Sequence, residues 1–153
     1  DGGESQLVDG FAVAEKIRKK YPEAFSLLST QLVRFRYLDE GSADLEATSP
    51  LIETNPQGEV IALRYNSRSA QTFTFSSEVM ADYYDAYRLL GELLHEPEAC
   101  IEFRLDAGQL IIFDNQRVLH GRSAYEEGFR HLQGCYADKD SLQSLIRVLE
   151  AEK

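Results

Sequence analysis

With 153 residues and a formal charge of −10, the chain is long enough for one ordinary core and too acidic to follow a phosphate backbone. Apolar residues make up 43% and charged residues 27%, which excludes a disordered or fibrous chain, and no apolar run reaches the ~20 residues needed to cross a bilayer. Cys100 and Cys135 lie far apart without metal-type spacing and read as two reduced thiols of a cytoplasmic protein, a disulfide being the alternative.

Asp9 is a predicted N-cap, followed by Val13, Ile17 and Tyr21 on one helical stripe. Pro22 ends that helix and opens a short second one carrying Phe25 and Leu28. In LVRFRYL, Val33, Phe35 and Tyr37 alternate with Arg34 and Arg36, the period of a half-buried strand. The acidic, breaker-rich DEGSADLEATSP reads as an exposed loop. LIETNPQGEVIALRYN reads as two short strands about an Asn-Pro-Gln-Gly turn, with Ile61, Leu63 and Tyr65 on one face and Asn66 at the end. TFTF continues in strand-like residues. SSEVMADYYDAYRLLGELL then sets Met80, Tyr83, Tyr84, Tyr87, Leu90 and Leu94 at helical spacing behind a serine cap, an aromatic stripe expected in the core.

CIEFRLDAGQLIIFDN alternates through Ile101, Phe103 and Leu105, turns at Asp106, and runs apolar from Leu110 to Phe113, as a hairpin entering a buried sheet would. DSLQSLIRVLE closes the chain as an amphipathic helix with Leu142, Leu145, Ile146 and Leu149 inward. The sum is α+β and mainly antiparallel, closer to a sandwich or jelly roll with helical insertions than to a βαβ repeat.

Among chemistry-bearing residues, His120 ends the apolar stretch Val118-Leu119 before Gly121, at a strand-to-loop junction where a barrel-like sheet presents side chains at its mouth. A lone histidine there more often only bonds a nearby carbonyl. His95 sits at a helix end, where an imidazolium complements the dipole. His131 follows Arg130 on an expected strand, so the two side chains face opposite ways. Asp114 and Asn115 read as turn residues, while Arg117 and Arg122 flank His120 and either brace its loop or meet a substrate.

The order DN-x-R-x-LHGR, spacer, R-H-L-x-G-x-Y, with the opening GGESQLVDGF and the strand VIALRYN, resembles the C-terminal half of the iron(II)- and 2-oxoglutarate-dependent dioxygenases. Within them it is most similar to the γ-butyrobetaine hydroxylase and trimethyllysine hydroxylase branch of the taurine dioxygenase-like superfamily. The resemblance implies the C-terminal portion of a double-stranded β-helix. It makes His120 the distal histidine of a 2-His-1-carboxylate iron site, with Asp114 and Asn115 as alternative partners beside the metal. Arg130 becomes the residue that grips a 2-oxoglutarate carboxylate through both oxygens, and Ser5 a hydroxyl near the same carboxylate. Tyr136 becomes one wall of an aromatic cage for a trimethylammonium group, and Asn66 a contact to the substrate carboxylate. Blander roles compete: a surface ion pair for Arg130, the core for Tyr136, turns or caps for Ser5 and Asn66. The implied cofactors are Fe(II) and 2-oxoglutarate as cosubstrate, with O₂ and ascorbate as further reactants.

Such an iron site also needs a H-x-D or H-x-E pair, yet Pro97, Arg122 and Gln133 stand two places after the three histidines. Residues 1–153 therefore read as the C-terminal part of one oxygenase catalytic domain lacking the upstream H-x-D segment, or as a degenerate homologue that has lost its metal. The start without methionine favours the first. With one imidazole for three ligands, the chain alone is expected to be inactive and to hold no stoichiometric iron, and unpaired sheet edges invite a homodimer. For the whole enzyme the resemblance implies hydroxylation of a small trimethylammonium substrate, γ-butyrobetaine to L-carnitine. Trimethyllysine or another small acid is the alternative substrate, and a metal-free jelly-roll binding module the alternative from another class. Neither nucleic acid nor membrane is an expected partner.

Overall fold

In the computed structural model, which describes residues 2–124 and 131–152, the chain divides into two compact units. One is Gly3–Ser123; the other joins Asp1–Gly2 to Ala124–Lys153. The larger unit opens with strand β1 (Ser5–Asp9), helix α1 (Gly10–Lys20) and helix α2 (Pro22–Thr30). Two antiparallel hairpins follow, β2 (Val33–Asp39) with β3 (Ala43–Ser49) and β4 (Ile52–Thr54) with β5 (Val60–Leu63). Helix α3 (Ser77–Leu94), β6 (Cys100–Phe103) and β7 (Val118–Arg122) complete it. The smaller unit carries α4 (Lys139–Ala151).

The helices form where local chemistry favours them. Asp9 Oδ1 accepts the backbone N–H groups of Phe11 and Ala12 at 3.1 and 3.3 Å, filling two donors that the first turn of α1 leaves open. Arg18, Lys19 and Lys20 in its last turn complement the opposite end of the dipole. Pro22 suits the first turn of α2, where its missing N–H costs nothing. Val13 and Ile17 of α1, Leu28 of α2, and Tyr83, Leu90 and Leu94 of α3 then meet Val33, Leu51, Ile52 and Leu63 in one core.

Tyr83, Leu90 and Leu94 of the α3 stripe belong to that core, as expected, and Tyr87 packs against it, but Tyr84 is exposed; residues 71–76 run alongside. Phe73 meets Tyr83 edge-on at 4.9 Å between ring centroids, and Phe75 lies 4.4 Å from the same ring. This is what becomes of TFTF: it packs as coil, tied to β2 by the Gln71 N–H on the Arg34 carbonyl, instead of forming a strand. Gly91 sits inside α3 because a methyl group there would come within 2.6 Å of the Tyr65 hydroxyl, whose ring stacks on Tyr87. The Tyr83 hydroxyl is fully buried without a hydrogen-bond partner among the described residues, and burial pushes its pKa up. A buried donor left unpaired costs about 1–3 kcal/mol. Tyr83→Phe is therefore expected to raise the denaturation midpoint, by roughly 1 kcal/mol of stability; a loss of stability would show that the hydroxyl is satisfied.

Several local expectations are corrected. DEGSADLEATSP is mostly a strand, β3, held by cross-strand charge pairs: Arg36 donates both arms to Asp44 at 2.9 Å and Arg34 meets Glu46 at 2.5 Å. In β5, Val60 and Ala62 face inward and Ile61 outward, and the strand stops at Leu63, three residues short of Asn66. The turn at Asp106 forms, with the Gln109 N–H on the Asp106 carbonyl, but no hairpin follows. Arg104 is drawn to Glu4, and residues 110–113 join no ladder, leaving Leu110 and Ile112 81% and 80% exposed. The apolar stripe of α4 is half-exposed and not inward, since its own unit offers, among the described residues, no second element to pack on. His131, half of the expected Arg130-His131 strand, lies in residues 131–138, which have no regular structure.

The sheet that positions the site has the order β6-β1-β7, all antiparallel. Its centre is β1, too short to stand out in the sequence.

Candidate functional site

His120 is the middle residue of β7 and not its terminus, so its direction is fixed by strand alternation. The register pairs Leu7 with His120 and Ser5 with Arg122 on one side of β1, and Leu7 with Ile101 and Ser5 with Phe103 on the other. Ser5, Leu7, Ile101, Phe103, His120 and Arg122 therefore share one face. The opposite face carries Val8 and Leu119, which pack on the core. His120 thus looks away from the core: it is exposed, as is Ile101 at 67%. Among the described residues its ring has one aromatic neighbour, Phe113, with centroids 5.2 Å apart and planes inclined by 48°.

Ser5 and His120 are diagonal neighbours on this face, roughly 7–8 Å apart with their Cβ atoms somewhat closer. That separation suits a small ligand bridging a metal on the imidazole and a hydroxyl on the serine. Two further residues fall in line: Phe113, beside the imidazole, which the sequence did not single out, and Arg122, which the sequence left between bracing the loop and meeting a substrate and which pairs with Ser5 across the ladder. Period-two alternation through SQLVD and VLHGR would have found the shared face had β1 been recognised as their common partner.

Polar knots hold both ends of β7. At one end Ser123 Oγ donates to Glu4 Oε2 at 2.6 Å, the Glu4 and Ser123 backbones bond to Ser123 Oγ and the Glu4 carbonyl, and Arg104 reaches Glu4 at 3.1 Å. The Ser123 hydrogen bond, with Arg104 nearby, holds the Glu4 carboxyl below its ordinary pKa. At the other end Arg117 grips both oxygens of Asp9, at 3.1 and 2.7 Å, and holds that carboxyl low as well. Asp114 forms the preceding turn as expected, its side chain accepting from Gln116 and its carbonyl from Arg117 and Val118.

The remaining sequence-derived candidates are distributed as follows. Arg130 lies outside the described residues. Tyr136 belongs to the smaller unit and is 88% exposed, so it is not a core residue there. Asn66 is exposed, and its side-chain oxygen accepts the Arg68 N–H at 2.8 Å, the turn role weighed against a ligand role. His95 caps α3, its Nδ1 2.7 Å from the Gly91 carbonyl. Cys100 and Cys135 are both free thiols. A cleft of about 420 Å³ runs between Arg34, Thr48, Gln71 and Phe73, and no residue of the His120 face lines it.

A metal can be tested against the donors present. The exposed imidazole of His120 is a competent ligand, but among the described residues no three histidine, cysteine, aspartate or glutamate side chains converge to hold an ion. One donor fits; a closed site needs others from outside them. Among the described residues no helix is long and apolar enough to cross a membrane.

Antiparallel sheets flanked by helices are an architecture that the chain shares with solved structures. The solved structure of PvcB, an Fe, alpha-ketoglutarate dependent oxygenase from an isonitrile synthetic pathway, shares it with a TM-score of 0.56 at 23% identity, over 82% of this chain and 42% of that one. The chain belongs to the taurine catabolism dioxygenase TauD, TfdA family, whose model matches residues 1–136. It is 45% identical over 151 residues to the gamma-butyrobetaine dioxygenase of Pseudomonas sp. (strain AK-1), covering 97% of this chain and 39% of that protein. The mitochondrial trimethyllysine dioxygenase of Bos taurus is 34% identical over 153 residues, 97% of this chain and 36% of its own length. The chain thus spans about two fifths of these curated relatives.

Proposed function

We propose that this chain is the C-terminal part of an iron(II)- and 2-oxoglutarate-dependent dioxygenase that hydroxylates a small trimethylammonium substrate, first among them γ-butyrobetaine to L-carnitine. The observation that carries the reading is the 45% identity, sustained over 97% of the chain, to a protein named for that substrate. The face holding His120 and Ser5 supports it from the structure. In the complete double-stranded β-helix, the other metal ligands would come from sequence outside these 153 residues.

Iron(II) and 2-oxoglutarate, when bound, would let O₂ serve as the oxidant that turns a C–H bond into C–OH, the keto acid leaving as succinate and CO₂. The chain's part is placement. His120 would donate an imidazole nitrogen to the metal from a strand that fixes its direction. Arg130 would hold a cosubstrate carboxylate with two parallel hydrogen bonds, and Ser5 would donate a third to the same anion. Tyr136 would offer its ring face to a cation that cannot donate hydrogen bonds, and Asn66 an amide to the substrate carboxylate. The compartment that goes with this reading and with the free thiols is the cytoplasm. The outer edges of β6 and β7, unpaired among the described residues, support a homodimer of the isolated chain.

Incubating the full-length protein with iron(II), 2-oxoglutarate, O₂ and, in turn, γ-butyrobetaine, trimethyllysine or taurine, while following succinate, tests the reading. Turnover is expected first with γ-butyrobetaine. Preference for trimethyllysine would move the assignment to the second relative, and no turnover with any of them would favour a metal-free binding module. The 153-residue chain alone is expected to bind no stoichiometric iron(II).

A further inference from the structure

The exposed position of His120 raises a question of rigidity. No residue of β7 is buried, and among the described residues the strand is hydrogen-bonded along one edge only, to β1. A metal ligand must be held within about 0.5 Å of its working position. Burial does not provide that here. The two polar knots do: Glu4 and Asp9 bracket β1, while Ser123 and Arg117 bracket β7, so each end of the ladder is closed by a carboxylate on β1's side and a donor on β7's. His120 lies midway between the closures.

We propose that Glu4 and Asp9 form a two-ended clasp that fixes the register of β7 and so positions His120. The Asp9 end carries most of the geometry. Its carboxylate caps α1 through Phe11 and Ala12 and at the same time takes both guanidinium arms of Arg117, so the helix start and the strand start are locked to one group. The backbone reinforces the lock: the Gly10 N–H donates to the Arg117 carbonyl at 2.9 Å, and a methyl at Gly10 would meet that oxygen at 2.8 Å. Arg117 also lies over the Phe11 ring at 5.6 Å. The core-packed helix α1 is thereby the anchor for an otherwise exposed strand. Glu4 and Asp9 are positioning residues; they act through His120 and touch no reactant.

This inference rests on the metal-ligand reading of His120, and its two parts separate experimentally. In the full-length protein, Asp9→Ser keeps a helix cap but removes the bidentate pair, and Arg117→Met removes the pair and leaves the cap. Both variants, and Glu4→Ala at the other end, are expected to speed hydrogen exchange of the β7 amides about tenfold, with Ala14 and Leu90 amides of the helical core unchanged. Cobalt(II) affinity, read by titration, should fall roughly 10- to 100-fold. The double variant of Asp9→Ser and Arg117→Met should be no worse than either single change, because both break one interaction. Arg117→Lys should rescue only in part, since an ammonium cannot make the fork. Unchanged β7 exchange overturns the clasp. Faster exchange with undiminished cobalt(II) affinity overturns its positioning role. A wild-type protein that takes up no cobalt(II) overturns the reading of His120 and the positioning role with it, while β7 exchange in the same samples still decides the clasp.

Discussion

His120→Ala in the full-length protein is expected to abolish turnover and cut bound iron(II) to a trace, with little change in melting temperature. The stability half follows from exposure: the side chain looks away from the core, and among the described residues its one ring contact is Phe113. The chemical half follows from the ligand count. Changing a residue that merely orients a metal ligand costs 10–100-fold in affinity or activity, so removing the ligand itself should exceed about 100-fold. His95→Ala is the matched control. That imidazole is bonded to a helix carbonyl at the end of α3, and its loss should leave iron content unchanged. Equal losses from both variants would mean that His120 has no special role.

Leu90→Ala should have the largest effect on stability, about 3–4 kcal/mol of lost unfolding free energy in denaturant titrations. Leu90 has no exposed surface and belongs to the same core as Ile17, Leu28, Tyr83 and Ile52, side chains from three helices and a strand. A cavity there cannot be refilled by one neighbour's rotation, and that is when truncations cost most. Leu45→Ala, on the exposed face of β3 and 63% accessible, should change stability by less than about 0.5 kcal/mol. A cost below about 1.5 kcal/mol at Leu90 would mean that the helices are not packed as described.

What the sequence made legible was what is local. Asp9 as a cap, Pro22 at a helix start and the apolar spacing of α3 are each decided within a turn or two of chain, and each appears where expected. What it hid was pairing. The sheet beneath His120 joins Gln6 to Glu102, 96 residues apart, and no local pattern announces that five residues will become a central strand. The hairpin expected after Cys100 failed for the same reason: β6 paired with distant β1 and not with its apolar neighbours in the chain. β3 was concealed differently, its pairing secured by Arg34 and Arg36 against acidic partners on a surface that hydrophobic alternation does not mark. At the site, His120 was found through motif order and Arg122 as its neighbour in the chain, but that Arg122 shares the face of His120 and Ser5, and that Phe113 lies beside the imidazole, became visible only once the register was known.

A structure of the full-length protein with 2-oxoglutarate and a redox-inert divalent metal such as manganese(II) tests the central claim most directly. An imidazole nitrogen of His120 should lie within bonding distance of the metal, about 2.0–2.2 Å, and the Arg130 guanidinium should hold the far carboxylate of the keto acid in the same pocket. The metal bound elsewhere, or those two side chains on opposite sides of the β6-β1-β7 sheet, would contradict it.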